Sequence, residues 1–280
     1  MIAVVYSGSK SAFWKIASNG KTIADCTMPS INPCFNEPKH ILYLLAKNNE
    51  LINYAEQIKK IYVFAAGASS VTKQKELADT LNVFFKNGKI TVKDDLYGAS
   101  IAACFNETGI VGILGSGSNC TYYDGKNPEL NNFGLGFILG DEGSANHLGK
   151  LLLKKYLENK LPEDLKLKFE EKYNTDRPII LERVYKKPHV QHYLSSFLDF
   201  YIENRAHKYI IQLIDSAFEN YFKIYLLPIT AAHPSEEVHF VGTVAGTFQD
   251  RLRTIAQKHD INIITITKEP IYNLLNYYSN

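Results

Sequence analysis

An α/β fold is predicted by three features of the chain. Short apolar runs of strand character alternate with amphipathic helical patterns at both ends of the sequence. Three of those strands run directly into glycine turns: Ile2-Ala3-Val4-Val5-Tyr6 into Ser7-Gly8-Ser9, Ile110-Val111-Gly112-Ile113-Leu114 into Gly115-Ser116-Gly117-Ser118-Asn119, and Val238-His239-Phe240-Val241 into Gly242-Thr243. A mostly helical stretch, 145–222, separates the two alternating regions. With 280 residues, 45% of them hydrophobic, the chain can build one large domain or two modest ones with an ample core.

Residues 2–6, 12–17 and 21–27 read as three short strands joined by turns, the second turn carrying Asn19-Gly20, a strong hairpin signal. Residues 38–58 have a helical pattern, with Ile41, Leu44, Leu45, Leu51 and Ile52 apolar. A buried strand at 61–66 ends at Gly67, and a helix at 73–87 turns Leu77, Leu81 and Phe84-Phe85 inward. A strand at 89–92 and a helix at 97–105 follow. In the helical stretch, breaks are expected near Pro162, Pro178 and Pro188. The strand–helix rhythm then returns as strand 237–241, helix 245–258, strand 261–266 and helix 269–278. Phe248, Leu252 and Ile255 fall on one stripe of the penultimate helix. A glycine turn after an early strand in each half hints at duplication, although no residue repeat is visible.

Composition excludes several classes. A formal net charge of +2 argues against a generally basic nucleic-acid binder. No run of about 18 apolar residues predicts a membrane helix, and the opening Met1-Ile2-Ala3-Val4-Val5 lacks the basic lead and long apolar core of a secretion signal. Cys26, Cys34, Cys104 and Cys120 have no metal-type spacing and read as reduced thiols of a cytoplasmic protein. Asn119-Cys120-Thr121 then matches a glycosylation sequon by accident.

Glycine turns after strands let backbone amides approach a phosphate, and their hydroxyls add donors. Three of them in one chain suggest a nucleotide held between two domains. Ser7-Gly8-Ser9-Lys10-Ser11 is too short for a Walker loop and is either a polar hairpin or a turn that wraps phosphate oxygens. Asp94-Asp95 closes a strand and precedes a helix, so it offers an N-cap or a general base toward a hydroxyl. Gly134-Leu135-Gly136 through Gly140-Asp141-Glu142-Gly143-Ser144 is glycine-dense, apolar and ends in two acids, which fits a structural turn and cap or a close ligand contact. Asn32-Pro33 is a turn or places an amide near a ligand. Trp14 is expected to face the core, and His147, with no second ligand at metal spacing, to be structural. No metal-ligating set is predicted. The mixed charges of 154–173 read as a solvated helical surface.

Taken together, these segments resemble the sugar-kinase, actin and Hsp70 superfamily. More closely, the chain resembles the BadF/BadG/BcrA/BcrD-type ATPases in their N-acetylglucosamine kinase-like branch, essentially end to end. The matches are carried by 113–119, 136–144, Leu161-Pro162-Glu163-Asp164-Leu165 through Tyr173, Arg183-Val184-Tyr185-Lys186-Lys187-Pro188 and 238–244, with Gly140-Asp141-Glu142-Gly143-Ser144 the most specific. The resemblance implies a two-domain, ribonuclease H-like (actin-like ATPase) fold, each domain a mixed five-stranded sheet flanked by helices. The domains would be 1–108 and 109–280, the latter with a helical insertion at about 145–222. It further implies ATP and Mg²⁺ as cofactors and an amino sugar as substrate. Ser7, Gly8, Ser9 and Lys10 match the first phosphate loop, and Gly115, Ser116, Gly117 and Ser118 the second. Gly242, Thr243 and Ala245 match the adenosine loop. Asp95 matches the general base, and Asn32, Gly134, Gly136 and Asp141, with Asp95, match sugar-contacting positions. No nucleic-acid or membrane partner is implied, and a homodimer is left open.

The chain departs from that family in one respect. Its first loop is expected to open with an Asp that helps hold hydrated Mg²⁺, in a pattern like Asp-Ser-Gly-Ser-Thr-Lys-Thr-Asp-Trp; here Tyr6 takes that place, Lys10 replaces the phosphate-binding Thr and Phe13 the later Asp. Losing a metal-organising carboxylate costs several kcal/mol in the transition state, roughly a hundredfold or more in rate. Two functions therefore compete: a sugar kinase acting on N-acetylglucosamine or a related amino sugar, and a catalytically impaired sensor of a sugar or nucleotide. A Rossmann dinucleotide site at Gly115-Ser116-Gly117 is weaker, because Cys120 stands where the third glycine belongs.

Overall fold

The computed structural model describes residues 1–279. The chain opens with β1 (Ile2–Ser7), β2 (Ser11–Ser18), β3 (Lys21–Pro29), α1 (Pro38–Ala46), α2 (Asn49–Tyr54), β4 (Lys60–Ala65), α3 (Val71–Phe84), β5 (Lys89–Asp94) and α4 (Asp95–Cys104). The strands form a sheet ordered β3-β2-β1-β4-β5. Its first three strands are antiparallel, and β1, β4 and β5 are parallel. Asn19 and Gly20 both take positive φ (50° and 75°), the twist a two-residue hairpin needs.

The second sheet is ordered β7-β6-β8-β9, from β6 (Gly109–Leu114), β7 (Ser118–Tyr123), β8 (Val238–Val241) and β9 (Ile263–Thr267). Only β6 and β7 run antiparallel. Four strands pair here among the described residues, where five were expected. Residues 124–135 run beside β7 but make only an isolated bridge, Tyr123 to Pro128. Beyond that bridge the side chains of Thr121 and Asn131, rather than backbone amides, take the Glu129 and Cys120 carbonyls (2.9 and 2.8 Å), and no ladder forms.

Between β7 and β8 lie α5 (Gly136–Leu139), α6 (Ala145–Leu157), α7 (Glu163–Lys172), α8 (Arg177–Tyr185), α9 (Val190–Ser195), α10 (Leu198–Glu203), α11 (Lys208–Tyr221), a π-helical turn (Phe222–Leu226) and α12 (Leu227–Ala232). The prolines act as starts: Pro162 is the N-cap of α7 and Pro178 sits in the first turn of α8. After β8 come α13 (Thr243–Thr247), α14 (Gln249–Lys258) and, beyond β9, α15 (Ile271–Ser279).

Two helices expected to be continuous are broken. The 38–58 pattern divides because Asn48, in extended conformation, accepts a bond from the Leu51 amide and so starts a new helix. The 245–258 pattern divides at Phe248, whose backbone (φ −115°, ψ 36°) leaves the helical region.

Three apolar cores result. Trp14 is in the first, stacked on Phe85 between the outer face of the first sheet and α1 and α3. Another fills the helical region and one face of the second sheet. The third lies between the two sheets, where α4 and α15 form a shared layer: Val4 and Phe64 of one sheet and Val111, Ile113 and Val241 of the other pack on Leu96, Ala99, Ala102 and Leu274. Helix α4 is apolar on nearly every side, as a helix buried on both faces must be. No helix among the described residues is long and apolar enough to cross a membrane.

Helices α6 and α9 approach closely at Gly149, where an added Cβ would lie 2.0 Å from the Leu194 carbonyl oxygen. Gly149→Ala is expected to destabilise the protein by about 3 kcal/mol, the upper range for overpacking. Urea unfolding tests this; an unchanged midpoint would mean that the two helices separate at little cost.

Candidate active site

The three strand-to-glycine turns and the Asp94-Asp95 pair lie at the C-terminal ends of strands, whereas the 134–144 segment spans α5 and leads into α6. Loop 7–11 follows β1, Asp94 ends β5, loop 115–118 follows β6 and Gly242 follows β8. Open α/β sheets bind ligands at those ends.

The first loop is held from outside by its carbonyls. Ser30 Oγ donates to the Gly8 oxygen (2.7 Å), the Ser30 amide to the Lys10 oxygen (3.2 Å) and His192 Nε2 to the Ser9 oxygen (3.2 Å). A carbonyl only accepts, so Nε2 of His192 carries the proton. A trans peptide unit points its N–H opposite its C=O. Fixing the oxygens of Gly8 and Ser9 therefore fixes the opposed amides of Ser9 and Lys10, which donate to nothing among the described residues. Ser7 is fully buried, accepts from the Ile31 amide (3.1 Å) and lies 3.3 Å from Ser30 Oγ. Its hydroxyl buttresses the loop from below. Lys10 is exposed at the tip.

The second loop repeats this arrangement. The amides of Ala145 and Asn146, in the first turn of α6, donate to the oxygens of Gly115 (2.9 Å) and Ser116 (3.1 Å). The opposed amides of Ser116 and Gly117 are thereby aimed away and left free among the described residues. The Ser118 amide donates to Asp141 Oδ1 (3.1 Å), and Asn146 Nδ2 lies 3.4 Å from Asp141 Oδ2. Asp141 itself is buried, in left-handed backbone (φ 65°). A Cβ on Gly117 would lie 2.9 Å from Asp141 Oδ1, so glycine lets the carboxylate close on the loop. The Gly-Asp-Glu-Gly-Ser segment thus clamps the second loop: Asp141 takes one amide, and the helix that Ser144 caps takes two carbonyls.

Of the two adjacent acids, the helix uses the first as its cap. Asp94 is the N-cap of α4 and accepts from the Tyr97 amide (2.7 Å). Asp95, one residue on, has no side-chain partner of its own among the described residues. Removal from water and the neighbouring Asp94 raise its pKa to about 7, the amides of Asp95 and Leu96 pull it back, and Asp141 adds a further push. Asp95 directly follows β5 of the first sheet and Asp141 is bound to the loop between β6 and β7 of the second, so the two halves meet near these acids. Tyr6 stands beside the same pair: burial, then the charges of Asp95 and Asp94, hold its phenol well above the usual tyrosine range.

Asn32 is buried, with Oδ1 accepting from the Cys34 amide (2.8 Å) and its side chain lying where a Cβ on Gly67 would fall. Its Nδ2 has no partner among the described residues. Gly242 (φ 123°) meets the start of the second loop, since an added Cβ would be 2.5 Å from the Leu114 oxygen and 3.1 Å from the Gly115 nitrogen. Thr243 is exposed beside it, whereas Ala245 is fully buried. Gly134 and Gly136 (φ 73° and 76°) bracket Leu135, and Ile138 and Leu139 beyond them are exposed. Burial and Lys150 lower the pKa of His147, whose Nδ1 accepts from the Gly143 amide, as a structural histidine would. Sequence reasoning missed Ser30, His192 and the Tyr225–Glu142 hydrogen bond, because no local pattern marks groups that act on a loop from far along the chain.

The architecture defines a class. Two mixed sheets with helices, meeting at their strand ends, form the fold of the actin-like sugar kinases. A candidate N-acetylglucosamine kinase from Porphyromonas gingivalis is similar over the whole chain, with TM-score 0.94 and 30% identity, covering 100% of this chain and 99% of that one. The chain belongs to the family of that protein. A second candidate N-acetylglucosamine kinase, from Chromobacterium violaceum, shares the fold at TM-score 0.68 and 16% identity, with 99% and 98% of the two chains covered. A ROK-family glucokinase from Streptomyces griseus, solved with glucose and AMPPNP, shares it at 0.56 and 12%, with 99% and 97% covered. No protein-family model and no curated protein sequence matches the chain.

The division between the two acids has a thermodynamic consequence. Asp94→Ala should lose about 1 kcal/mol of stability with the cap. Asp95→Asn should behave oppositely. A carboxyl whose folded pKa is raised to about 7 binds protons more tightly when folded, so its presence costs stability progressively from about pH 4 and fully above pH 7. The melting temperature of Asp95→Asn relative to wild type should therefore rise between pH 4 and pH 8. A constant difference would show that Asp95 is an ordinary exposed acid.

Proposed function

We propose that the protein is an ATP-dependent amino-sugar kinase acting on N-acetylglucosamine, in the N-acetylglucosamine kinase-like branch of the BadF/BadG/BcrA/BcrD-type ATPases. The observation that carries this reading is the pair of loops whose carbonyls are tied back and whose amides are free, together with Asp95, a carboxylate that neither caps the helix nor pairs with another side chain. Free amides of Ser9, Lys10, Ser116 and Gly117 suit phosphate oxygens. Gly242 and Thr243 lie beside the second loop, where the adenosine end of the nucleotide would rest. Asn32 Nδ2 and the backbone at Gly134 and Gly136 suit sugar hydroxyls, with Asp141 fixing the loop that carries the phosphates.

Asp95 would accept the proton of the attacking hydroxyl. A general base works best with a pKa near the working pH, and about 7 satisfies that condition. Bound ATP supplies the phosphoryl group, with charge neutralised by Mg²⁺. Among the described residues no three His, Cys, Asp or Glu side chains cluster as a metal site. Tyr6 brings no carboxylate to the position where the family's Asp would help hold hydrated Mg²⁺. The same proposal divides the chain into domains 1–108 and 109–280, with 145–222 as a helical insertion, and places it in the cytoplasm.

An ADP-release assay over a panel of amino sugars with MgATP tests the reading. Turnover with N-acetylglucosamine should fall about 10² to 10⁴ in Asp95→Asn, the usual contribution of a general base, and little in Asp94→Asn. Because the base must be unprotonated, kcat/KM should climb with pH through the Asp95 value of about 7. Full activity in Asp95→Asn removes the proposed base.

Tyr6 favours a second reading, a binding protein of the same fold with weakened turnover. In that case millimolar N-acetylglucosamine raises the melting temperature while turnover stays low, and Tyr6→Asp, alone or with Lys10→Thr, raises it. A fast wild type slowed by Tyr6→Asp rejects the second reading.

A further inference from the structure

The geometry points to His192 as a positioning residue that completes the first phosphate cradle from the helical region, so that the cradle forms only when that region is docked. The inference rests on the nucleotide reading above.

Each loop presents two free amides, and each amide is aimed by a tether on the carbonyl of the preceding residue. In the second loop both tethers are amides of α6. The first loop has tethers of two origins. Ser30, beside the loop in the same half, holds the Gly8 oxygen and so aims the Ser9 amide. The Ser9 oxygen, which aims the Lys10 amide, is held by His192, 183 residues away in sequence.

His192 is itself well fixed. His189 begins α9 in left-handed backbone (φ 61°), and its ring stacks on that of His192 with centroids 5.5 Å apart. Helix α9 is locked to α6 at the Gly149–Leu194 contact. The first turn of α6 in turn holds the carbonyls of the second loop. One rigid path therefore joins the two cradles: Ser9 oxygen, His192, α9, α6, then the oxygens of Gly115 and Ser116. Displacing α9 frees the Ser9–Lys10 peptide to rotate, and the first cradle loses one of its two donors while the second stays whole.

The side chain of His192 needs only a donor at the Nε2 position. We therefore expect His192→Phe, which keeps the ring and removes the donor, to weaken MgADP about tenfold by calorimetry. The KM for ATP should rise similarly, with the KM for the sugar within twofold of wild type. His192→Gln, which can reach with an amide N–H, should recover most of the loss. A merely structural role would move the melting temperature and both substrates together and would not distinguish Gln from Phe. Where His192→Phe fails to fold, His192→Ala replaces it in the same comparison. MgADP affinity unchanged in the donor-free variant, or equal losses in Phe and Gln variants, overturns the assignment and leaves the kinase reading standing. A wild-type protein that binds no MgADP overturns both.

Discussion

The arrangement of the site depends on the burial of α4 between two sheets. A helix in that position must be thin, and α4 supplies Gly98, Ala99, Ser100, Ala102 and Ala103. At Gly98 an added Cβ would lie 2.6 Å from the Phe64 side chain. Ser100, buried with them, satisfies its hydroxyl on the Leu96 carbonyl at 2.8 Å. With both faces occupied, the helix can neither slide nor tilt without opening a core. Its N-terminus is therefore fixed where the strands of both sheets end. Asp94 spends its carboxylate on the cap, and Asp95 is left at the meeting point of the two halves.

The second constraint is the planarity of the peptide. Neither glycine loop is shaped by its own residues alone. Groups elsewhere in the chain take the carbonyls, and the rigid peptide turns that into a direction for each amide. This explains why the Gly-Asp-Glu-Gly-Ser segment is the most specific signature in the sequence. It begins with a left-handed turn, closes a carboxylate onto Gly117 and ends in a capped helix whose first amides are committed to the loop. Few residue combinations perform all three tasks in five positions.

Much of this was legible in the sequence because it is local. The Asn19-Gly20 hairpin, the strands around it, the proline-started helices and the strand-to-glycine turns each have a signal within a few residues. The buried stripe of Phe248, Leu252 and Ile255 is also local. What failed was decided by competition at single positions. Asn48 prefers to cap a new helix over continuing the old one, and the Thr121 and Asn131 side chains take carbonyls that a fifth strand would have paired. In the site, the glycines and the two acids could be read, but the local pattern did not say which acid caps the helix, and only the resemblance set Asp95 apart from Asp94. Ser30 and His192 carried no readable signal, since their partners are 22 and 183 residues away.

Helix α15 packs on α4 and on β1 and β2, with Tyr278 stacked on Tyr62 (3.9 Å) and near Phe64 (5.8 Å). During synthesis, where folding usually proceeds from the N-terminus, the first sheet emerges early with that face uncovered. Helix α4 covers part of it soon afterwards, but the aromatic contacts of Tyr62 and Phe64 with Tyr278 wait until residues 271–279 have been made.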